Sequence, residues 1–313
     1  MRLALISNPT SNHGRHRSAA ETTRLALIAR GYEVLPVGQD DTDRLSALVR
    51  QRAVDALVVV GGDGMVHQGL NLVATTGVPM GVVATGTGND IARHFGLPAR
   101  DVLSATGVID AALTGAGRIL NCDAIRVTGL DPSDEADQTG GRWCMAVVGA
   151  GIDAVVNRRA NNLRWPHGEA RYTMAVVPEL VRMRPYGYRV TTDSGTWQGP
   201  AMLLAAANTS FIGGGMALAP SAEVTDGMLD VVRLDPVTRP GLVGLFLGIF
   251  QGTHVEHPAV HIERTRSITI EAWSEEGAGL HHPPLPYADG EAITPLPLRL
   301  EAVPAAVRLL LPR

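Results

Sequence analysis

Apolar and polar positions change rhythm once along this chain, and the change divides it. In the first part, short apolar runs alternate with longer stretches of helical composition. The runs Leu3–Ser7, Glu33–Val37, Ala56–Val60 and Met80–Val83 predict strands, whereas Arg15–Arg30, Asp43–Arg52, Gly64–Thr75, Asn89–Phe95 and Asp101–Thr114 predict helices. Ala56–Val60 is a continuous, largely β-branched run, the pattern of a parallel strand covered on both faces. Gly31 stands where a left-handed residue would end the first helix. Strand–helix alternation of this kind predicts an α/β unit around a parallel sheet.

After Gly117 the strands follow one another: Ile119–Thr128, Arg142–Val148, Tyr188–Thr192, Ala201–Ala207, Leu229–Leu234, Ala259–Ala272 and Leu296–Ala302. Two helical stretches interrupt them, Arg171–Met183 and Pro240–Gln251; in the first, Tyr172, Val176, Leu180 and Met183 share a face. Leu130–Gly141 and Gly277–Pro286 read as surface loops. Consecutive strands with few helices predict an antiparallel sheet or sandwich. The boundary falls near 115–125. It sets a first domain at 1–120, with 296–313 a candidate to return and complete it, and a second at 121–295.

Composition narrows the chemistry. The 313 residues are 45% hydrophobic and 19% charged, enough for a sizeable core, and 4% aromatic, so that core is aliphatic. All 27 basic residues are Arg, which removes lysine Schiff bases, lysine general bases and the Gly-Lys pair of a Walker P-loop. A net charge of −4 gives no global positive field for nucleic acid. Cys122 and Cys144 form no disulfide framework and read as buried thiols in a reducing compartment. The start of the chain reads as a first strand rather than a leader, and no apolar run reaches the ~18 residues of a membrane span. The expectation is a cytoplasmic protein that associates peripherally with a membrane. Between Arg158 and Arg189, seven Arg stand against Glu169 and Glu179. That segment, with Trp165, is a candidate to dock on anionic lipid. The apolar stretch Leu242–Phe250 is either core or the lining of a lipid-tail pocket. The histidines at 254, 257, 261, 281 and 282 lack the carboxylate partners of a zinc site.

The sharpest local signal is Gly61-Gly62-Asp63-Gly64, between the strand Ala56–Val60 and a helix. Glycines there let backbone N–H groups approach an anion, and the helix N-terminus favours negative charge. An aspartate in such a turn repels bare phosphate, so it makes sense as a Mg²⁺ ligand or as a proton acceptor. A capped tight turn is the plain alternative. A second turn, Thr85-Gly86-Thr87-Gly88-Asn89-Asp90, follows the next strand, and two such turns at neighbouring strand ends would wrap a polyphosphate. A third loop, Asn8-Pro9-Thr10-Ser11-Asn12, follows the first strand with side chains that can hydrogen-bond a nucleotide. Further along come Gly149-Ala150-Gly151-Ile152-Asp153-Ala154, then Asn208-Thr209-Ser210 with Gly213-Gly214-Gly215 and Pro220, then Thr225-Asp226-Gly227-Met228-Leu229-Asp230-Val231, and lastly Asp289-Gly290-Glu291.

In order and spacing these elements resemble the diacylglycerol kinase catalytic family, which includes sphingosine and ceramide kinases and bacterial lipid kinases. The resemblance covers nearly the whole chain. It implies an N-terminal nucleotide-binding α/β domain with a parallel sheet, a C-terminal antiparallel β-sandwich, and an active site in the cleft between them. It implies that ATP is held by Asn8, Thr10, Gly61, Gly62, Gly64, Gly86, Thr87, Gly88 and Asn89. It makes Glu291 the general base for the acceptor hydroxyl, with Asp63 beside it in catalysis, and Asp63 and Asp226 ligands of Mg²⁺. The implied reaction transfers the γ-phosphoryl of ATP to a lipid hydroxyl, with diacylglycerol the default acceptor and phosphatidic acid the product. Family analogy allows a homodimer.

The sequence departs from the family pattern at Met65, where threonine is usual, at the first loop, here Ser11-Asn12-His13-Gly14-Arg15, and at Ile91, where phenylalanine is usual. Two alternatives stay open: a kinase for a sphingoid, ceramide or glycolipid alcohol, and a degenerate protein that binds nucleotide or lipid without turnover. Asp63, Asn89, Asp226 and Glu291 speak for turnover. A dinucleotide-binding dehydrogenase is disfavoured, because no Gly-x-Gly-x-x-Gly follows the first strand.

Overall fold

The computed structural model describes residues 1–8, 15–38, 41–131, 141–162, 184–275 and 280–313. The helix expected at Arg171–Met183 lies outside them, as do Thr10, His13, Trp165 and most of the Arg158–Arg189 segment. Two compact units form, Met1–Ala124 with Pro304–Arg313, and Ile125–Val303.

In the first unit, β1 (Arg2–Ser7), β2 (Glu33–Gly38), β3 (Ala56–Gly61) and β4 (Met80–Ala84) make a parallel sheet in the order β2-β1-β3-β4. The end of the last strand of the chain, β18 (Leu298–Leu311), continues it beside β4, with Leu309 opposite Met80. The helices are α1 (Arg15–Ile28), α2 (Thr42–Arg50), α3 (Asp63–Val73), α4 (Asp90–His94) and α5 (Val102–Thr114). Strand alternation divides β3 between two layers. Val58 and Val60 share a core with Leu27 of α1 and with Ile109 and Ala112 of α5. Leu57 and Val59 face Gly69 of α3, where a Cβ would stand 2.5 Å from Val59 Cγ2. Both faces are covered, which is why every residue of β3 is buried and none is polar. The ends follow elementary capping: Asp101 accepts the Ser104 N–H (3.0 Å), and Gly31 sits at φ +89° beyond α1.

The second unit holds the end of β5 (Arg118–Gly129, which begins in the first unit), then β6 (Arg142–Cys144), β7 (Val147–Gly149), α6 (Ile152–Asn162), β8 (Tyr186–Thr192), β9 (Gly195–Ala201), β10 (Leu203–Ala207), β11 (Phe211–Ile212), β12 (Met216–Ala217) and β13 (Leu229–Leu234). Helix α7 (Arg239–Ile249) and strands β14 (Val260–Thr265), β15 (Ser267–Ala272), β16 (Tyr287–Ala288) and β17 (Glu291–Ala292) complete it. One antiparallel sheet runs β18-β15-β8-β9, and another β14-β13-β10-β7-β16-β17. Tyr188, Val190, Ile268, Ile270, Leu298 and Leu300 of the first sheet share one core with Val148, Leu204, Ala206, Leu229, Val231 and Ala288 of the second. This is a β-sandwich.

Several boundaries differ from the sequence expectation. The run Ala259–Ala272 is two strands, because the chain changes sheets at Arg266: β14 pairs with β13, and β15 with β8 and β18. The apolar positions keep the same phase on both sides, Val260 and Ile262 before the crossing and Ile268 and Ile270 after it, and the polar stretch Glu263–Ser267 between them marks the crossing. The run Arg142–Val148 is interrupted at Met145–Ala146. β9 and α6 were not anticipated, and β18 continues to Leu311 rather than stopping at Ala302.

Candidate active site

The two glycine turns of the first unit leave adjacent strands side by side. The Thr85 N–H donates to the Gly61 carbonyl (2.8 Å), and beyond it the backbones touch. A Cβ on Gly86 would lie 2.4 Å from Gly62 Cα, and one on Gly62 would lie 3.0 Å from Gly86 Cα. No side chain fits at either position, so the surface formed there is backbone. α3 opens directly behind it with Gly62 as its N-cap, and its first N–H groups lack intrahelical acceptors.

Side chains tie the turns together. The Asp63 carboxylate accepts the Ile91 N–H (3.2 Å), joining the start of α3 to the first turn of α4. Asn89 takes a left-handed conformation (φ 52°) and donates Nδ2–H to the Gly86 carbonyl (2.9 Å). Its Oδ1 is buried and has no hydrogen-bond partner among the described residues. Met65, where the family has threonine, is buried against Gly61, whose Cβ would lie 2.4 Å from Met65 Cγ. It packs the turn from the inside. Asn8 directly follows β1, whose Ser7 pairs with Val60, so it leaves the sheet at the same edge as Gly61. Two arginines escaped notice in the sequence. Arg100 donates to the Thr87 carbonyl (3.1 Å), and Arg93 to the Gly88 carbonyl (3.3 Å). Their only signal was nearness to the turn, which many surface arginines share.

In the second unit Glu291 is exposed on β17, in a hairpin with β16. Asp226 is paired with Arg264, and its carboxylate also accepts the Met228 N–H (2.8 Å). Arg264 thus stands at the carboxylate to which the family resemblance assigns a metal. Among the described residues no three His, Cys, Asp or Glu gather as metal ligands.

The segment Gly149–Asp153 is built on close approach. Asp153 Oδ2 occupies the place of a Gly149 side chain, 1.3 Å from where its Cβ would be, and Oδ1 accepts the Gly151 N–H (3.0 Å). The Tyr188 hydroxyl donates to the Ala150 carbonyl. Asp153 is buried, Oδ2 has no partner among the described residues, and burial pushes its carboxyl up from 3.8 to about 6. It lines a half-open cavity of about 100 Å³. Among the described residues the rest of the lining is apolar, with Leu203, Met216, Leu218, Leu245, Phe246 and Ile249 among it, except for His254. His254 donates Nε2–H to the Leu218 carbonyl (3.0 Å), and burial lowers its pKa. Leu242 and Leu245 of α7 face inward, while Val243 and Leu247 are exposed. No helix among the described residues is long and apolar enough to cross a membrane.

Comparison with known proteins agrees with this architecture. Residues 2–122 match the diacylglycerol kinase catalytic domain, and residues 146–311 match the YegS C-terminal NAD kinase beta sandwich-like domain. A diacylglycerol kinase of Mycobacterium tuberculosis (strain ATCC 25618 / H37Rv) is 36% identical over 320 aligned positions, covering 100% of this chain and 96% of that protein. One of Bacillus subtilis (strain 168) is 24% identical, covering 86% of this chain and 85% of its own. The crystal structure of a diacylglycerol kinase from Bacillus anthracis str. Sterne superposes with a TM-score of 0.69 at 17% identity, covering 99% of this chain and 96% of that one, a likeness of fold alone. Two domain matches in the order of the two units, and a relative similar from end to end, place this chain in the diacylglycerol kinase catalytic family of lipid kinases.

Proposed function

We propose that this protein transfers the γ-phosphoryl group of ATP to a lipid hydroxyl, with diacylglycerol as acceptor and phosphatidic acid as product. The observation that carries the reading is the abutment of Gly62 and Gly86. It leaves a side-chain-free surface at the C-terminal edge of a parallel sheet, where polyphosphates are held in open α/β folds. Phosphoryl transfer asks a protein for positioning and charge neutralisation more than for covalent chemistry. Backbone N–H groups of the Gly61–Gly64 and Gly86–Asn89 turns would hold the phosphates, with Asn8 and Thr10 adding side-chain contacts. Arg93 and Arg100 hold the second turn in shape by its carbonyls.

The donor set fits a hard divalent cation at the turns. Asp63 offers a carboxylate and Asn89 a buried oxygen that lacks a partner among the described residues. A Mg²⁺ ion held there would neutralise phosphate charge. Asp226, already paired, is given no such role. Glu291, exposed and free to reach a substrate, takes the proton of the acceptor hydroxyl as its oxygen bonds to phosphorus and the bond to ADP breaks. The apolar cavity of the sandwich supports a lipid acceptor. Its lining would bury acyl chain, and Asp153 and His254 are the polar groups within it. The acceptor brings the protein to a membrane surface.

The test is transfer of labelled γ-phosphate from ATP and Mg²⁺ to diacylglycerol, a sphingoid base, ceramide and a glycolipid in mixed micelles, beside the Glu291→Gln protein. Label in diacylglycerol, lost in the variant, is the expected result. Label in another lipid would replace the acceptor. ATP binding without label in any lipid would favour the non-catalytic reading.

A further inference from the structure

Glu291 stands on a strand of only two residues, in a hairpin whose two-residue turn is Asp289-Gly290. Both turn residues have positive φ, 49° and 86°, as a type I′ turn requires. β16 is held to β7 on its other side, and the Asp289 N–H donates to the Val147 carbonyl (3.1 Å), but β17 is a two-residue edge beyond it. The Asp289 carboxylate anchors the turn itself. Oδ2 accepts the Met145 N–H (2.8 Å), and Oδ1 accepts the Ala146 N–H (2.8 Å) and the Cys144 thiol (3.1 Å). The two N–H groups come from the break between β6 and β7, and the thiol from the last residue of β6. On the other side of the same dipeptide, Asn208 donates Nδ2–H to the Met145 carbonyl and its backbone N–H to the Ala146 carbonyl, both 2.8 Å. Every polar backbone group of Met145–Ala146 is thus satisfied by Asp289 or Asn208, residues from two other motifs of the sequence. Met145, Ala146 and Asn208 are all buried, and burial, with Asp289 beside it, pushes the Cys144 thiol well up.

We propose that Asp289 is a positioning residue for Glu291: by gathering three donors of the Cys144–Ala146 segment it fixes the turn from which Glu291 is presented. The inference rests on the reading of Glu291 as general base. The acidic side chain is specifically required, because all three neighbours donate. An asparagine would keep the size and the tolerance for positive φ, yet turn an N–H₂ toward at least one donor.

The experiment compares kcat and KM for ATP of the full chain, using the lipid labelled in the panel above. Wild type, D289N, E291Q and D289N/E291Q form a double-mutant cycle, and N208S serves as a structural control matched by loss of Tm. D289N should lower kcat by about 10–100-fold with KM for ATP within about two-fold. The double variant should be no slower than E291Q, because a group acting only through Glu291 has nothing left to position. N208S should lose stability without the same loss of kcat. If D289N does not fold, Cys144→Ala should lower kcat several-fold and Cys144→Ser, which keeps a donor, should restore it. Wild-type kcat in D289N, independent losses in the double variant, an equal kcat loss in N208S, or a Cys144→Ser protein as slow as Cys144→Ala would each overturn the proposal. Full activity of E291Q would instead refute the base assignment and remove the basis for Asp289.

Discussion

Asp153 costs the folded protein stability at neutral pH, and the cost can be read out. Its carboxyl is buried against Gly149, receives one N–H from Gly151, and is pushed from 3.8 to about 6 by loss of water. Above pH 6 both folded and unfolded chains carry the charge, and the folded one carries it in an apolar cavity wall. Between about pH 6 and 3.8 the folded chain has taken up a proton that the unfolded chain has not, so stability from this group rises as pH falls through that window. A shift of about two units at 1.36 kcal/mol each amounts to roughly 3 kcal/mol. Asp153→Asn mimics the protonated form and keeps the oxygen that accepts from Gly151. The variant should therefore gain on the wild type as pH rises, by roughly 2–3 kcal/mol between pH 4 and pH 8. At roughly 2–4 °C per kcal/mol, that is a widening of about 5–10 °C in the difference between the two melting temperatures. His254 slopes the opposite way, because burial lowers its pKa, but it is present in both proteins and cancels in the difference. Paired thermal melts across this pH range are the assay. A difference that stays flat with pH, or narrows as pH rises, would refute the argument.

Two further outcomes follow from the glycine turns. Gly86→Ala places a Cβ 2.4 Å from Gly62 Cα, so it should cost about 1–3 kcal/mol as overpacking and weaken ATP binding at least ten-fold by calorimetry. Gly107→Ala in α5, with open space around it, should do neither. Asp63→Asn keeps an acceptor for the Ile91 N–H and should melt within about 1 °C of wild type, with turnover down about 100-fold; Asp63→Ala should lose both. A fully active Asp63→Asn protein would reduce Asp63 to a cap.

The order of motifs was enough to identify the family, and hydropathy alone separated an α/β part from a β part, because each pattern is set locally. A strand buried on both faces must be apolar throughout, as in Ala56–Val60, and a helix needs its stop, as at Gly31. The glycine turns were legible for the same reason, since a backbone that must approach another backbone admits no other residue. What could not be read was whatever depends on a partner distant in the chain. The apolar alternation keeps one phase across Ala259–Ala272, so it does not show that the two halves join different sheets, and the interruption at Met145–Ala146 is held by Asp289 and Asn208, which satisfy its peptide groups from more than 60 residues away on one side and 140 on the other. Met65 could be seen to depart from the family pattern, but not that its side chain packs against Gly61. Asp226 could be read as an acidic motif residue, but its pairing with Arg264, which lies on another strand, could not. Asp153 sat in a recognised motif, yet its raised pKa and its place in the wall of an apolar cavity arise from burial. A motif restricts which residues can stand at a position, whereas desolvation and hydrogen bonding depend on everything the fold packs around it.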